Sequence, residues 1–291
     1  MNELIRARAV SKRYGKKIAL DNIDLTIAPG KIVGLIGPNG AGKTSLLKGI
    51  LGLAPVEGEL SVLGMNPQHE RVKLLEQVSF IADTATLPRW MRVKELIDYT
   101  EAVHPRFSRA SCMKFLADTN LQLKDKVEQL SKGMVTQLHL ALIMAIDSQL
   151  LVLDEPTLGL DIIYRKQFYE SLLNDYYDAQ KTILITTHQV EEIESILTDL
   201  VFISGGKILL NASMETVADT YVELQVDAPL KAQALAHNPI HVRNLLGGYG
   251  MLYENCQERD ALAALGRLAV PSLSDLFVAK VKPQINMEGV V

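Results

Sequence analysis

KIVGLIGPNGAGKTSLLKGI, residues 31–50, decides how the rest of the chain is read. Its opening, KIVGLIG, is a continuous apolar run rich in β-branched side chains, as in a strand buried on both faces of a parallel sheet. The closing TSLLKGI has helical spacing. Between them GPNGAGKT, residues 37–44, satisfies GxxxxGK[ST] in the context that its mechanism needs, after a strand and before a helix. The candidate nucleotide-binding residues are therefore Gly37, Pro38, Asn39, Gly40, Ala41, Gly42, Lys43, Thr44 and Ser45. Glycines let backbone N–H groups turn inward around phosphate oxygens, and the helix N-terminus adds the positive end of its dipole. Lys43 is placed to reach the terminal phosphates and Thr44 to offer its hydroxyl to Mg²⁺.

Two further buried-strand patterns end in polar residues. LLVLDEP ends in Asp154 and Glu155. Asp154 is placed to hold Mg²⁺ through its water shell, and Glu155 to polarise a water attacking the γ-phosphate. KTILITTH ends in His188. Strand ends that converge on one edge of an α/β sheet form its ligand site, so His188 is a candidate contact to the γ-phosphate.

Outward from these strands, LIRARAV and IDLTIAPG read as N-terminal strands, with ELSVLG and QVSFIAD as further candidates. From about 88 to 146 the period is helical throughout. After LLVLDEP the spacing predicts a helix over 162–178, the strand KTILITTH, a helix in VEEIESIL, the strand DLVFIS, a turn at Gly205-Gly206 and the strand KILLN. Beyond about Thr220 the pattern resets to a small mixture of strands and helices. The expected fold class is α/β: a P-loop NTPase core with a mainly parallel sheet, an N-terminal antiparallel β subdomain, a helical insertion and a small C-terminal α+β appendix. The expected division is 1–219 for the nucleotide-binding domain and 220–291 for the accessory domain.

Composition agrees with this reading. The 291 residues are 48% hydrophobic and 22% charged, an ordinary globular balance. The net charge of −4 argues against nucleic acid as the main partner. Cys112 and Cys256 lack metal-ligand spacing and read as small buried hydrophobes. The charged MNELIRARAV is not expected to be a signal peptide, and no stretch reaches the ~20 apolar residues of a membrane span.

GPNGAGKT, LSKGM (residues 130–134), LLVLDEPTLGLD and TTH, in this order, resemble the ATP-binding subunit of an ABC transporter over about residues 3–215. The tail PSLSDLFVAKV resembles that of type-2 exporter ATPases. The resemblance implies ATP and Mg²⁺ as ligands and ATP hydrolysis as the activity. It also implies a homodimer or a heterodimer with a related ATPase, an integral membrane transporter subunit as partner, and a peripheral place on the cytoplasmic face of the membrane. Tyr14 in KRYG would stack on adenine, Asp161 would lie on the loop crossing the dimer interface, and His188 matches the switch histidine. Ser131, Lys132 and Gly133 would complete the site of the partner subunit. Two letters of the signature depart from LSGGQ: Lys132 needs a backbone that tolerates a side chain, and Met134 lacks the amide of glutamine. Serine, the second glycine and the following helix persist, which reads as a working variant. Asp83 stands where the family carries the Q-loop glutamine; it could ligate the metal or its waters but cannot donate a hydrogen bond when ionised.

The expected function is thus the motor of a transporter, an exporter by its tail, pressing on a membrane subunit through the segment 87–93, with Trp90 and Met91 as candidate contacts. A soluble ATPase or nucleotide sensor with little turnover is the alternative. Against the translation-factor form stands the single P-loop. Against the DNA-repair form stands the span of about ninety residues from Lys43 to Ser131, without sustained heptads.

Overall fold

The computed structural model describes residues 3–82, 87–256 and 258–281. β1 (Ile5–Tyr14) and β2 (Lys17–Ile27) form an antiparallel hairpin whose turn is made by Gly15 at φ +58°. β3 (Ile32–Ile36) is buried at all five positions, as its apolar run requires, and leads through the glycine loop into α1 (Lys43–Ile50). β4 (Glu57–Val62) returns to pair with β1 and completes a three-stranded antiparallel sheet. A short α2 (Arg71–Leu75) precedes β5 (Val78–Ile81).

The insertion then follows as α3 (Val93–Val103), α4 (Arg109–Ala117) and α5 (Lys132–Met144). It has its own core, including Ile97, Cys112, Leu116, Leu138 and Leu142. Burial there pushes the Cys112 thiol up to about 12.

The chain re-enters the sheet as β6 (Leu150–Asp154), every residue buried, and continues through α6 (Ile162–Ser171) to β7 (Thr182–Thr187), β8 (Asp199–Ser204) and β9 (Lys207–Ser213). The six strands run β5-β6-β7-β3-β8-β9, parallel except for β9. Register places Asp154 beside Thr186 and Ile36 beside Thr187. The P-loop, the Asp154-Glu155 pair and His188 therefore leave the sheet together at one edge.

Two expected helices come out differently. The helix predicted over 162–178 is α only to Ser171; residues 172–176 form a π turn. That turn buries both Leu172 and Tyr176, and the Tyr176 hydroxyl pairs with Ser148 at 2.7 Å while Tyr177 donates to the Gly30 carbonyl at 2.9 Å. VEEIESIL is not a helix but two 3₁₀ turns, residues 190–192 and 194–196. Its carboxylates are taken by tertiary partners: Glu191 by Ser274, Glu192 by Arg165 and Glu194 by the Leu273 N–H. Contacts made elsewhere in the fold override a helical period of only eight residues.

α7 (Met214–Thr220) leads into the C-terminal part. That part runs as β10 (Tyr221–Asp227), α8 (Lys231–Leu235), β11 (His241–Leu245), β12 (Gly248–Glu254), α9 (Arg259–Ala263), β13 (Arg267–Ala269) and α10 (Leu273–Val281). Its strands form a separate antiparallel sheet, β11-β12-β10-β13. α10 packs back onto the six-stranded sheet: Leu273 and Leu276 are buried in the core against it, and the Phe277 ring meets Phe202 edge-on at 5.0 Å.

Leu276→Ala empties a fully buried position and should cost ~2–5 kcal/mol in a denaturant titration. Leu246→Ala, at a fully exposed hairpin tip, should change stability by less than about 0.5 kcal/mol. Equal effects would mean that α10 is not part of the core.

Candidate functional site

The glycine loop is shaped by close packing. Gly42 has φ +115°, and a Cβ there would lie 2.6 Å from the Ala19 carbonyl oxygen. A Cβ on Gly37 would lie 2.3 Å from the Ile203 carbonyl oxygen, so Gly37 anchors the loop on the sheet. α1 starts at Lys43, which leaves the N–H groups at its N-terminus without helical partners and free to meet an anion. Lys43 is buried, and its Nζ donates to the Gly37 carbonyl at 2.7 Å. Burial lowers its pKa, and the nearby Glu155 and Asp154 carboxylates pull it back up.

A cleft of about 320 Å³ opens over this loop. Tyr14, Pro38, Asn39, Gly40, Ala41, Gly42, Lys43, Thr44, Ser45, Asp154 and Glu155 line it, together with Lys17 and Ala19. Tyr14 is about half exposed at the end of β1, with Lys12 Nζ 5.0 Å from its ring centroid, and offers a flat apolar surface at the cleft mouth.

Thr44 donates to Asp154 Oδ2 at 3.4 Å, and Thr186 donates to the other carboxylate oxygen, Oδ1. The buried Thr186 thus orients Asp154, and no local motif in the sequence marks it. A hydroxyl and a carboxylate side by side at the phosphate loop suit a hard cation such as Mg²⁺, which keeps water and phosphate ligands for its remaining positions. No group of three or more His, Cys, Asp or Glu able to hold a metal occurs among the described residues.

Glu155 follows with φ +50°, a left-handed backbone that costs a non-glycine residue of order 1 kcal/mol or more. Its N–H donates to the Thr186 carbonyl at 3.0 Å, and its Oε2 meets His188 Nδ1 at 2.8 Å. The conformation turns Glu155 off the strand line into the cleft and keeps it against His188, which is itself exposed.

Ser131, Lys132 and Gly133 do not line this cleft. Ser131 caps α5, its hydroxyl accepting from the Met134 N–H at 3.2 Å. The cap thus uses the backbone of position 134, which methionine supplies as well as glutamine does. Lys132 is helical, so no glycine freedom is needed there; its stem lies along Gly159 of the same chain. Asp161 caps α6 by accepting from the Ile163 and Tyr164 N–H groups at 3.0 and 3.1 Å. Beside it Leu158, Ile162 and Ile163 are exposed. Asp83 lies outside the described residues. Trp90 is 72% exposed, whereas Met91 is buried in the core of the insertion, which removes it as a surface contact.

The model of the ABC transporter family matches residues 20–158. The Nod factor export ATP-binding protein I of Sinorhizobium fredii is 32% identical over 292 aligned residues, covering 92% of this chain and 83% of that protein. The protein of the same name from Rhizobium meliloti strain 1021 is 30% identical, covering 94% and 87%. The chain belongs to the ATP-binding subunits of ABC transporters. As a member of that family it is an ATP hydrolase that serves a membrane transporter component. The fold agrees with a solved ATP-binding subunit of an ABC transporter, at a TM-score of 0.67 and 23% identity over 74% of this chain and 92% of that one. A nucleotide-free ATP-binding cassette gives 0.62 at 19% identity, over 75% and 94%. No helix among the described residues is long and apolar enough to cross a membrane.

In this ATP-binding subunit, Lys43→Ala removes the one buried ammonium lining the cleft. Loss of a charged hydrogen bond of ~1.5–3 kcal/mol should weaken ATP by about one to two orders of magnitude in a titration with a fluorescent analogue. Unchanged affinity would remove Lys43 from the phosphate site.

Proposed function

We propose that this subunit is the motor of an exporter, in which two copies, or one copy and a related ATPase, close on two molecules of MgATP and act on a separate membrane subunit. The observation that carries this reading is the meeting of Thr44, Asp154 and Glu155 at one phosphate loop, with His188 bonded to Glu155. Export is the direction in the names of the relatives, and it comes to this chain from them.

In this reading Gly40, Gly42, Lys43 and the first turn of α1 hold the phosphates, and Tyr14 carries the adenine. Thr44 and Asp154 would hold Mg²⁺, which would neutralise charge developing on the phosphates. Glu155 orients and deprotonates the attacking water, a task for an anionic group at the phosphate edge. His188 holds Glu155 in place and stands beside the γ-phosphate.

The second half of the site comes from the partner subunit. Ser131 and Gly133 at the N-terminus of α5 present a hydroxyl and a helix dipole to the phosphates bound by the other copy. Exposed Leu158, Ile162 and Ile163 beside Asp161 form an apolar rim suited to burial at that interface. Trp90, Tyr99 and Val103, exposed on the insertion, support contact with the membrane subunit at the cytoplasmic face. Residues 1–219 form the nucleotide-binding unit and 220–291 an accessory unit.

Glu155→Gln keeps the shape of the side chain and removes the base. Turnover should fall about 10²–10⁴-fold. Light scattering should show a monomer without nucleotide and a dimer with MgATP, because closed complexes no longer hydrolyse their way open. Full turnover by Glu155→Gln would be incompatible with this mechanism.

A further inference from the structure

The groups that must meet at the γ-phosphate sit on two separate loops. Glu155 begins the loop that ends at Asp161, and His188 begins the segment of 3₁₀ turns through Ile196. Such turns are short and weakly bonded internally, so their position depends on side chains from elsewhere.

One residue reaches both. Arg165, in the second turn of α6, donates through Nε to the Leu160 carbonyl at 2.9 Å. Its Nη1 donates to Gln189 Oε1 at 2.7 Å and pairs with Glu192 Oε1. The second oxygen of Glu192 accepts from Thr157 Oγ1 at 3.4 Å. Leu160 adjoins Asp161, Thr157 is two residues from Glu155, and Gln189 follows His188 directly. The side chains of Arg165 and Glu192 are each about three-quarters buried, where an ion pair is screened less than at a surface. The outer face of the same segment is held by α10, through Ser274 to Glu191 and the Leu273 N–H to Glu194.

We propose that Arg165 is a positioning residue for ATP hydrolysis, whose guanidinium locks the Glu155–Asp161 loop to the His188 segment so that the two move to the nucleotide as one piece. Arg165 does not line the cleft, and its side-chain hydrogen bonds go to Leu160, Gln189 and Glu192, through which its effect passes. The planar, forked head is what the geometry requires. A lysine carries the charge but cannot serve a carbonyl, an amide oxygen and a carboxylate in one plane. This inference rests on the roles assigned above to Glu155 and His188.

The test compares the full chain with its Arg165→Ala, Arg165→Lys, Glu192→Gln and Glu155→Gln variants. The readings are kcat and KM for MgATP, affinity for a fluorescent ATP analogue, and the thermal midpoint. Misplacing reacting groups by about 1 Å costs on the order of 10²-fold in rate. Arg165→Ala should lower kcat about 10–100-fold while analogue affinity stays within about threefold, since the cleft lining is untouched. Arg165→Lys should recover only part of the rate. Glu192→Gln combined with Arg165→Ala should cost little more than Arg165→Ala alone, as expected for partners in one contact. A kcat within twofold of the parent in Arg165→Ala overturns the proposal. So does a fall in kcat matched by equal losses of analogue affinity and thermal midpoint, or full recovery by lysine. If instead Glu155→Gln turns over like the parent, the assigned roles fail first and the clamp falls with them.

Discussion

Neighbouring parallel strands advance at the same rise per residue, so their ends are as closely aligned as their hydrogen-bond register. In this chain β7 lies between β6 and β3, and the register pairs Asp154 with Thr186 and Ile36 with Thr187. Everything at the cleft depends on that alignment. The phosphate loop leaves β3, the two carboxylates leave β6 and the histidine leaves β7, yet Thr44 bonds to Asp154 and Glu155 to His188. A slip of one residue would turn every side chain of a strand to the opposite face. Close packing against both faces of β3, β6 and β7 opposes such a slip.

The cleft concentrates charge where the sheet is driest, and the surrounding contacts answer that cost locally. Asp154 is buried but bonded by two threonines. Lys43 is buried among carbonyls that hold its ammonium while two carboxylates restore part of its basicity. Glu155 adopts a strained backbone that a pure stability criterion would assign to glycine. Strain of this kind persists only where neighbours over-determine it, as Thr186 and His188 do here.

The C-terminal part is joined to the catalytic part by more than its linker. α10 contributes Leu276 and Phe277 to the core beside β8, and its first residues hold Glu191 and Glu194 on the segment that follows His188. Lys280 pairs with Glu254 at 2.8 Å, and Asp275 with Arg243 at 3.4 Å, so the same helix is fastened to the C-terminal sheet. α10 therefore links the C-terminal sheet to the segment that follows His188.

The sequence by itself determined the parts whose pattern is local. The apolar run into GPNGAGKT specified a buried strand, a phosphate loop and a helix, and LLVLDEP and KTILITTH specified two more strands with polar ends. It also showed that LSKGM keeps its serine and second glycine. What it left open was decided by partners distant in the chain. The helical period of VEEIESIL lost to Arg165, Ser274 and Leu273, which take its three glutamates one by one. Lys132 looked like a burden on the backbone, but the helix begins at that residue and makes its conformation ordinary. Met91 looked exposed beside Trp90 until the insertion closed its own core over it. Thr186 and Arg165 carried no motif at all. A pattern of spacing records which face a residue shows to the core, whereas a hydrogen bond across 24 or 32 positions exists only once the chain has folded.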